Sequence, residues 1–314
     1  MSRRIILAGG SGFLGQLLGN FLQPRGWEPI VLTRSPSSEA RFKELAWDAR
    51  SLGEWARALE GAEAVINLAG RSVNCRYTKA NRRAIVDSRV ESTRVLGEAI
   101  ARCTSPPRTW LNSSTATIYK HCLDRPNDES CTDFSSTREA KDAFSVEVAR
   151  AWEQALDGAR TPQTRKVALR TSIVFGTIDG GVFQILRRLT RFQLGGKMGS
   201  GRQAVSWIHE TDFCRAIEWI LEHPDLNGPV NMAAPHPLAN REMMRTFRRV
   251  CGVSFGLPAA GWMLEVGAFF LRTETELLLK SRNVIPGKLL ASGFEFCFPR
   301  MEEALRDLAG RARH

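Results

Sequence analysis

The sequence predicts an α/β fold, a doubly wound parallel sheet with a smaller C-terminal lobe. Short aliphatic runs alternate with helix-period patterns up to about residue 175, and a glycine-rich turn joins the first such pair. Beyond that point Gly- and Pro-punctuated segments separate shorter helices, with no internal repeat and no low-complexity tract. The 314 residues suffice for one large domain or two ordinary ones. The expected division is 1–175 for the sheet-bearing domain and 176–314 for a lobe, some of whose segments return to the sheet.

Each element has its own signal. Ile5 to Ala8 is the first strand, and Phe13, Leu14, Leu17, Leu18, Phe21 and Leu22 mark one face of the helix that follows. Pro24 and Gly26 end that helix. Ile30 to Leu32 is the second aliphatic run, and Ala64 to Leu68 the third, entered through a turn at Gly61. A helix over about 78–102 buries Ile85, Val86, Val90, Leu96 and Ile100. Trp110 and Leu111 lead a strand into Ser113-Ser114-Thr115, and the polar stretch 120–138 reads as a surface loop. A helix from about Glu139 to Leu156 then leads to a strand from Val167 to Val174. Strands joined by helices of this length are βαβ units, which stack into a parallel sheet with helices on both faces.

Composition narrows the function classes. Apolar residues make up 43% and charged residues 25%, the balance of a packed globular protein. The net charge is +11, and eight of the 44 basic residues are Lys, so the rest are Arg, whose fork suits phosphate oxygens. These Arg are spread along the chain with no aromatic-basic motif, so a small anionic ligand is expected and nucleic acid is not. No apolar run approaches the ~20 residues of a membrane span, and the apolar start stops short of the ~7–15 of a secretory signal. Seven Cys, with no Cys-x-x-Cys, argue against a disulfide framework and for a reducing, cytoplasmic setting. The apolar stretch Trp262–Leu271 reads equally as a helix core or as the face of a homodimer.

The turn after the first strand is Gly9-Gly10-Ser11-Gly12-Phe13-Leu14-Gly15, a G-x-x-G-x-x-G at the start of an amphipathic helix. Glycines let the backbone approach a pyrophosphate, and the helix N-terminus supplies free N–H groups and partial positive charge. Strand before and helix after are the context this Rossmann-type motif requires. About 20 residues on, an NAD site places a carboxylate on the ribose 2′-hydroxyl. Here the chain reads Thr33-Arg34-Ser35, which suits a 2′-phosphate, so NADP(H) is the expected cofactor.

Taken with Asn67-Leu68-Ala69-Gly70, Asp87-Ser88-Arg89, Ser113-Ser114-Thr115-Ala116, Trp152-Glu153, Leu169-Arg170-Thr171, Gly195 to Gln203, Trp207-Ile208-His209, Asn231 to Pro235 and Gly293 to Phe296, the chain resembles the extended short-chain dehydrogenase/reductases. Within them it is most similar, nearly end to end, to the atypical branch of NADP-dependent, nucleoside-diphosphate-sugar-epimerase-like proteins. The resemblance implies backbone contacts to the cofactor from Leu68, Ala69 and Gly70, with Arg89 toward its phosphates and Val174 beside the nicotinamide.

The same resemblance exposes a departure. Such enzymes move a proton with a Ser/Thr, a Tyr and a Lys, the last two spaced Y-x-x-x-K, the Lys lowering the Tyr pKa. This chain has two Tyr, and neither Tyr77 nor Tyr119 has Lys four residues on. On the helix where the motif is expected stand Phe144 and Val148. Thr115 survives at the Ser/Thr position, and Tyr119 is the nearby candidate for a substitute donor, against a plain packed aromatic. In the second lobe Arg202, Gln203, Trp207 and His209 are candidates to line a substrate cleft, and bracing of the lobe junction by His209 and Asp212 is the alternative. The scattered His form no metal site. The leading function is an NADP(H)-dependent oxidoreductase or epimerase-like enzyme acting on a phosphorylated or nucleotide-linked small molecule. The runner-up is an NADP-binding sensor or partner-binding protein without hydride chemistry.

Overall fold

The structure is a computed structural model that describes residues 3–178, 181–260 and 276–312. The stretch Trp262–Leu271 lies outside the described residues. In chain order the main elements begin with β1 (Arg3–Ala8), α1 (Phe13–Leu22), β2 (Trp27–Thr33), β3 (Lys43–Ala46) and β4 (Ala64–Asn67). They continue with α2 (Lys79–Ala101), β5 (Thr109–Thr115), α3 (Ala143–Asp157), β6 (Arg165–Thr171), β7 (Ile173–Phe175) and α4 (Val182–Arg191). Then come β8 (Ala204–Val205), β9 (Trp207–His209), α5 (Glu210–Glu222), β10 (Gly228–Met232), β11 (Leu238–Ala239) and α6 (Asn240–Cys251), with a C-terminal helix over Met301–Arg311.

Seven of these strands form one parallel sheet in the order β10-β6-β5-β4-β1-β2-β3. The order reverses between β1 and β4, which opens a crevice at their carboxyl ends where α/β proteins bind ligands. The central strands are buried on both faces, as parallel strands under helices must be. Along β1 the alternation is direct: Ile5 and Leu7 join Leu18, Leu22 and Ile217 on one side of the sheet. Ile6 and Ala8 join Leu96, Ile100 and Trp110 on the other. A third core, with Phe175, Phe183, Trp207, Phe247 and Leu305, packs α4, α6 and the C-terminal helix.

Three details differ from the sequence reading. The chain inserts β3 at the sheet edge beside β2, so the Ala64 run is the fourth strand. Its Lys-Glu-Leu-Ala sequence is half-exposed and polar, as edge strands tend to be, and carries no aliphatic run. The strand read as Val167 to Val174 breaks at Ser172, whose N–H bonds to Met232 O. Beyond the break β7 leaves the main sheet and pairs with β9. The helix read from Glu139 starts at Ala143, because Asp142 is drawn out of helical geometry to accept from Thr137 N and to meet Lys280.

Candidate active site

The glycine turn, the end of β2 and the end of β4 come together at the crevice. Gly9 adopts a left-handed φ of 75° and lies so close to the next loop that a Cβ there would sit 2.9 Å from Ala69 backbone atoms. Gly12 caps α1 with no side-chain hydrogen bond, and no acidic residue occupies the first turn. The helix end is therefore left with unclaimed N–H groups and its positive pole facing outward. Phe13 and Leu14 pack their side chains against the sheet core, leaving the backbone of that turn to face the crevice.

Thr33 Oγ1 donates to Ser11 Oγ at 3.1 Å, tying the β2 end to the glycine loop. Arg34 follows, exposed, and no carboxylate occurs before Glu39. Leu68 and Ala69 are half-buried, and Gly70 lies against Arg89, whose guanidinium carbon would stand 3.3 Å from a Cβ there. Arg89 donates to Arg71 O and Ile85 O and lies 4.9 Å over the Trp152 ring. It has no ion pair among the described residues, and burial lowers its pKa to about 10. A cation so placed projects positive potential into the crevice. Val174 is buried in β7 opposite Ile208.

Thr115 stands at the end of β5, where its Oγ1 accepts from Thr117 N and lies 3.0 Å from Thr117 Oγ1. Tyr119 is 1% exposed. Its hydroxyl donates to Asn231 Oδ1 at 2.8 Å and accepts from Arg170 at 2.9 Å. Arg170 in turn forms a two-pronged pair with Glu153 on α3, which also accepts from Ser114. Burial pushes the Tyr119 phenol up to about 12 despite the neighbouring guanidinium. With its oxygen engaged by both Asn231 and Arg170, the phenol ties the end of β5 to β6 and β10.

The second-lobe candidates divide in the same way. Trp207 is fully buried, stacks on Phe175 and donates to His236 O. Gln203 is 3% exposed and donates to Met198 O, while Arg202 is exposed. His209 caps α5 by accepting from Thr211 N, stacks on Phe298 at 4.0 Å and places Nε2 3.2 Å from Asp307. Asp212 accepts from Cys297 N and Phe298 N. Both residues are fully buried, and their bonds tie the start of α5 to the chain around Phe298.

Burial pushes the His209 imidazole well below its ordinary value, against the pull of Asp307. The unfolded chain binds that proton first, so this stability is fully present above about pH 6.5 and is lost as pH falls. We expect a loss of about 2 kcal/mol between pH 7 and pH 5. Denaturant titrations at the two pH values, compared with His209→Asn, check it. An equal loss in the variant would remove His209 as the cause.

On α3, Phe144 and Val148 turn toward Tyr77 and Ile85 of the α2 side, with the Phe144 and Tyr77 rings 4.9 Å apart. The face that meets the Thr115 loop is one residue on: Ala149 packs with Ala116 and Ile118, and Ser145 donates to Glu276 at 2.8 Å. Neither Ser145 nor Ala149 restores the Tyr and Lys. Sequence reasoning missed what stands there instead, the segment from Glu276 to Arg282. Lys280 is fully buried between Asp142, 2.7 Å away, and Thr117 O. Arg282 donates to Thr117 Oγ1 at 3.0 Å. The only signal in the sequence was a run of charge inside an apolar C-terminal stretch. Among the described residues no group of three or more His, Cys, Asp or Glu forms a metal site, and no helix is long and apolar enough to cross a membrane.

Residues 5–233 match the NAD dependent epimerase/dehydratase family, and residues 259–308 match a domain of unknown function, DUF1731. The human epimerase family protein SDR39U1 is 30% identical over 312 residues, covering 97% of this chain and 99% of the human one. The crystal structure of its isoform 2 with NADPH superimposes with a TM-score of 0.85, over 98% of this chain and 99% of that one. A nucleoside-diphosphate sugar epimerase structure from Corynebacterium glutamicum, 26% identical, gives 0.77 over 99% of this chain and 59% of that one. The sheet order, the glycine turn and these matches agree, and the chain belongs to the NAD dependent epimerase/dehydratase family.

Proposed function

We propose that the protein is an NADP(H)-binding oxidoreductase of epimerase type, acting on a small phosphate-bearing or nucleotide-linked molecule. The observation that carries the cofactor is the end of β2, where Thr33, bonded to Ser11, is followed by the exposed Arg34 and residues 33–38 hold no carboxylate. Hydroxyls and a guanidinium suit a 2′-phosphate, whereas a ribose 2′-hydroxyl calls for a carboxylate. The close passage of Gly9 past Ala69 and the uncapped start of α1 fit a pyrophosphate laid on the glycine turn. Leu68, Ala69 and Gly70 would then lie along the dinucleotide, with Val174 toward its far end. The human relative crystallised with NADPH supports the same reading.

When bound, the reduced cofactor supplies a hydride. The chain's own task is to hold the substrate oxygen and govern its proton. Thr115, half-buried at the β5 end, offers a hydroxyl to that oxygen. The +11 charge and the half-buried Arg89 favour an anionic substrate.

Calorimetric titration with NADPH, NADP, NADH and NAD, on the protein and on Arg34→Ala, tests the reading. NADP(H) should bind more tightly than NAD(H), and Arg34→Ala should weaken NADP(H) by about 10- to 100-fold, the worth of a charge-assisted phosphate contact. NADH binding should be nearly unchanged in the variant. Failure of all four to bind would end the proposal.

A further inference from the structure

The missing Tyr and Lys leave a question of which group handles the proton, and the C-terminal segment supplies an answer. Glu276 is 5% exposed. Its Oε2 accepts from Ser145, on the α3 face that meets the Thr115 loop. Its Oε1 is buried with no hydrogen-bond partner among the described residues. Buried carboxylate oxygens are almost always satisfied, so one without a partner, on a segment fastened to the Thr115 loop, calls for an explanation, and a proton-transfer role supplies one. Through Lys280 and Arg282 the same segment is fastened to Thr117, whose hydroxyl touches Thr115. Glu276 is thereby fixed to the one member of the usual catalytic set that this chain retains.

We propose that Glu276 is the acid–base residue of this site, exchanging the substrate's proton at Oε1 in the role a phenol normally fills. This rests on the cofactor reading above. In the reducing direction the Glu276 O–H bond breaks and the substrate oxygen gains its proton. The carbonyl carbon meanwhile gains the hydride and its electron pair from a reduced nicotinamide dinucleotide. The carboxylate that remains keeps the Ser145 hydrogen bond and recovers a proton from solvent. Ser145, Lys280 and Arg282 are positioning residues.

The surroundings set the proton affinity that such a role needs. Burial raises the Glu276 pKa, the Ser145 hydrogen bond and the cations Arg282 and Lys280 lower it, and Asp142 raises it again. The outcome is a rise above the ordinary carboxylate value, which brings the group toward the working pH of a general acid. Lys280 is compensated by Asp142 at 2.7 Å, so its charge is shared rather than spent wholly on Glu276.

The test is carboxyl-detected NMR on protein labelled at the Glu side-chain carboxyl carbon, titrated with and without ligand. The Glu276 signal is the one lost in Glu276→Gln. If that variant does not fold, it is the one whose midpoint rises in Ser145→Ala, which removes a hydrogen bond to the charged form. The signal should titrate above the ordinary carboxylate range. It should shift when NADPH is added and stay put with 2′,5′-ADP, which fills the phosphate end and lacks the nicotinamide. An ordinary midpoint, or a signal that ignores NADPH while both ligands bind, overturns the assignment and leaves the cofactor reading standing. If neither ligand binds, the cofactor reading falls and this inference falls with it.

Discussion

Arg170→Met is expected to destabilise the protein by about 3–5 kcal/mol, the cost of leaving a buried charge without its partner. On a chain of this size that is a fall in Tm of roughly 5–8 °C. Arg170 is 4% exposed and makes a bidentate pair with Glu153 while donating to Tyr119. Removing it strands Glu153 between Ser114 and the sheet and takes one of the two partners from the Tyr119 hydroxyl. Size is not the issue, because Met fills most of the same volume. The double variant Arg170→Met, Glu153→Leu should recover part of the loss, since replacing both members of a buried pair with apolar groups is often near neutral. Denaturant unfolding of the two single variants and the double measures that coupling. A cost under 1 kcal/mol for Arg170→Met would mean that water reaches Glu153 and the tie does not exist.

Much of this architecture was legible in the chain, and the illegible parts have physical reasons. The strands β1, β2, β4, β5 and β6 are buried under helices on both sides, so they read as aliphatic runs. The edge strand β3 has solvent on one flank and therefore carries no such run. The passage from β6 to β7 is continuous in hydropathy, and only the pairing of β7 with β9, a partner distant in sequence, shows that the strand changes sheet. The glycine turn and Arg34 were legible because cofactor binding there is local, set by backbone within a few residues. The acid–base cluster was not. Ser145 and Glu276 are 131 positions apart, and Glu276, Lys280 and Arg282 look like an ordinary solvated run until the fold buries the first two. Tyr119 is the converse case. Its place near Thr115 in sequence suggested a donor, while its partners Arg170 and Asn231 come from distant strands.

Gly15→Ala is expected to cost at least about 100-fold in NADP(H) affinity, together with roughly 1–3 kcal/mol of stability. Ala is the better helix former by about 1 kcal/mol, so propensity alone predicts a gain. Sterics reverse the sign. A Cβ on Gly15 would stand 2.2 Å from Gly10 O and 2.3 Å from Gly10 Cα, contacts with backbone that no rotamer relieves. The glycine turn would have to move away from the helix, and it has nowhere to go. Gly10 is already wedged against Leu7 and Val31, and Gly9 N donates to Leu32 O at 2.8 Å. The displaced backbone is the phosphate cradle itself, so affinity and stability should fall together. Gly12→Ala separates the two effects. There a Cβ would meet nothing nearer than Gly9 O at 3.7 Å, so the free protein should keep its Tm. Its NADP(H) affinity should still drop, because the methyl occupies the surface against which a pyrophosphate is laid. Thermal unfolding and calorimetric titration of both variants give four numbers. Wild-type Tm and affinity in Gly15→Ala would show that the turn is free to shift, and unchanged affinity in Gly12→Ala would take the pyrophosphate off the glycine turn.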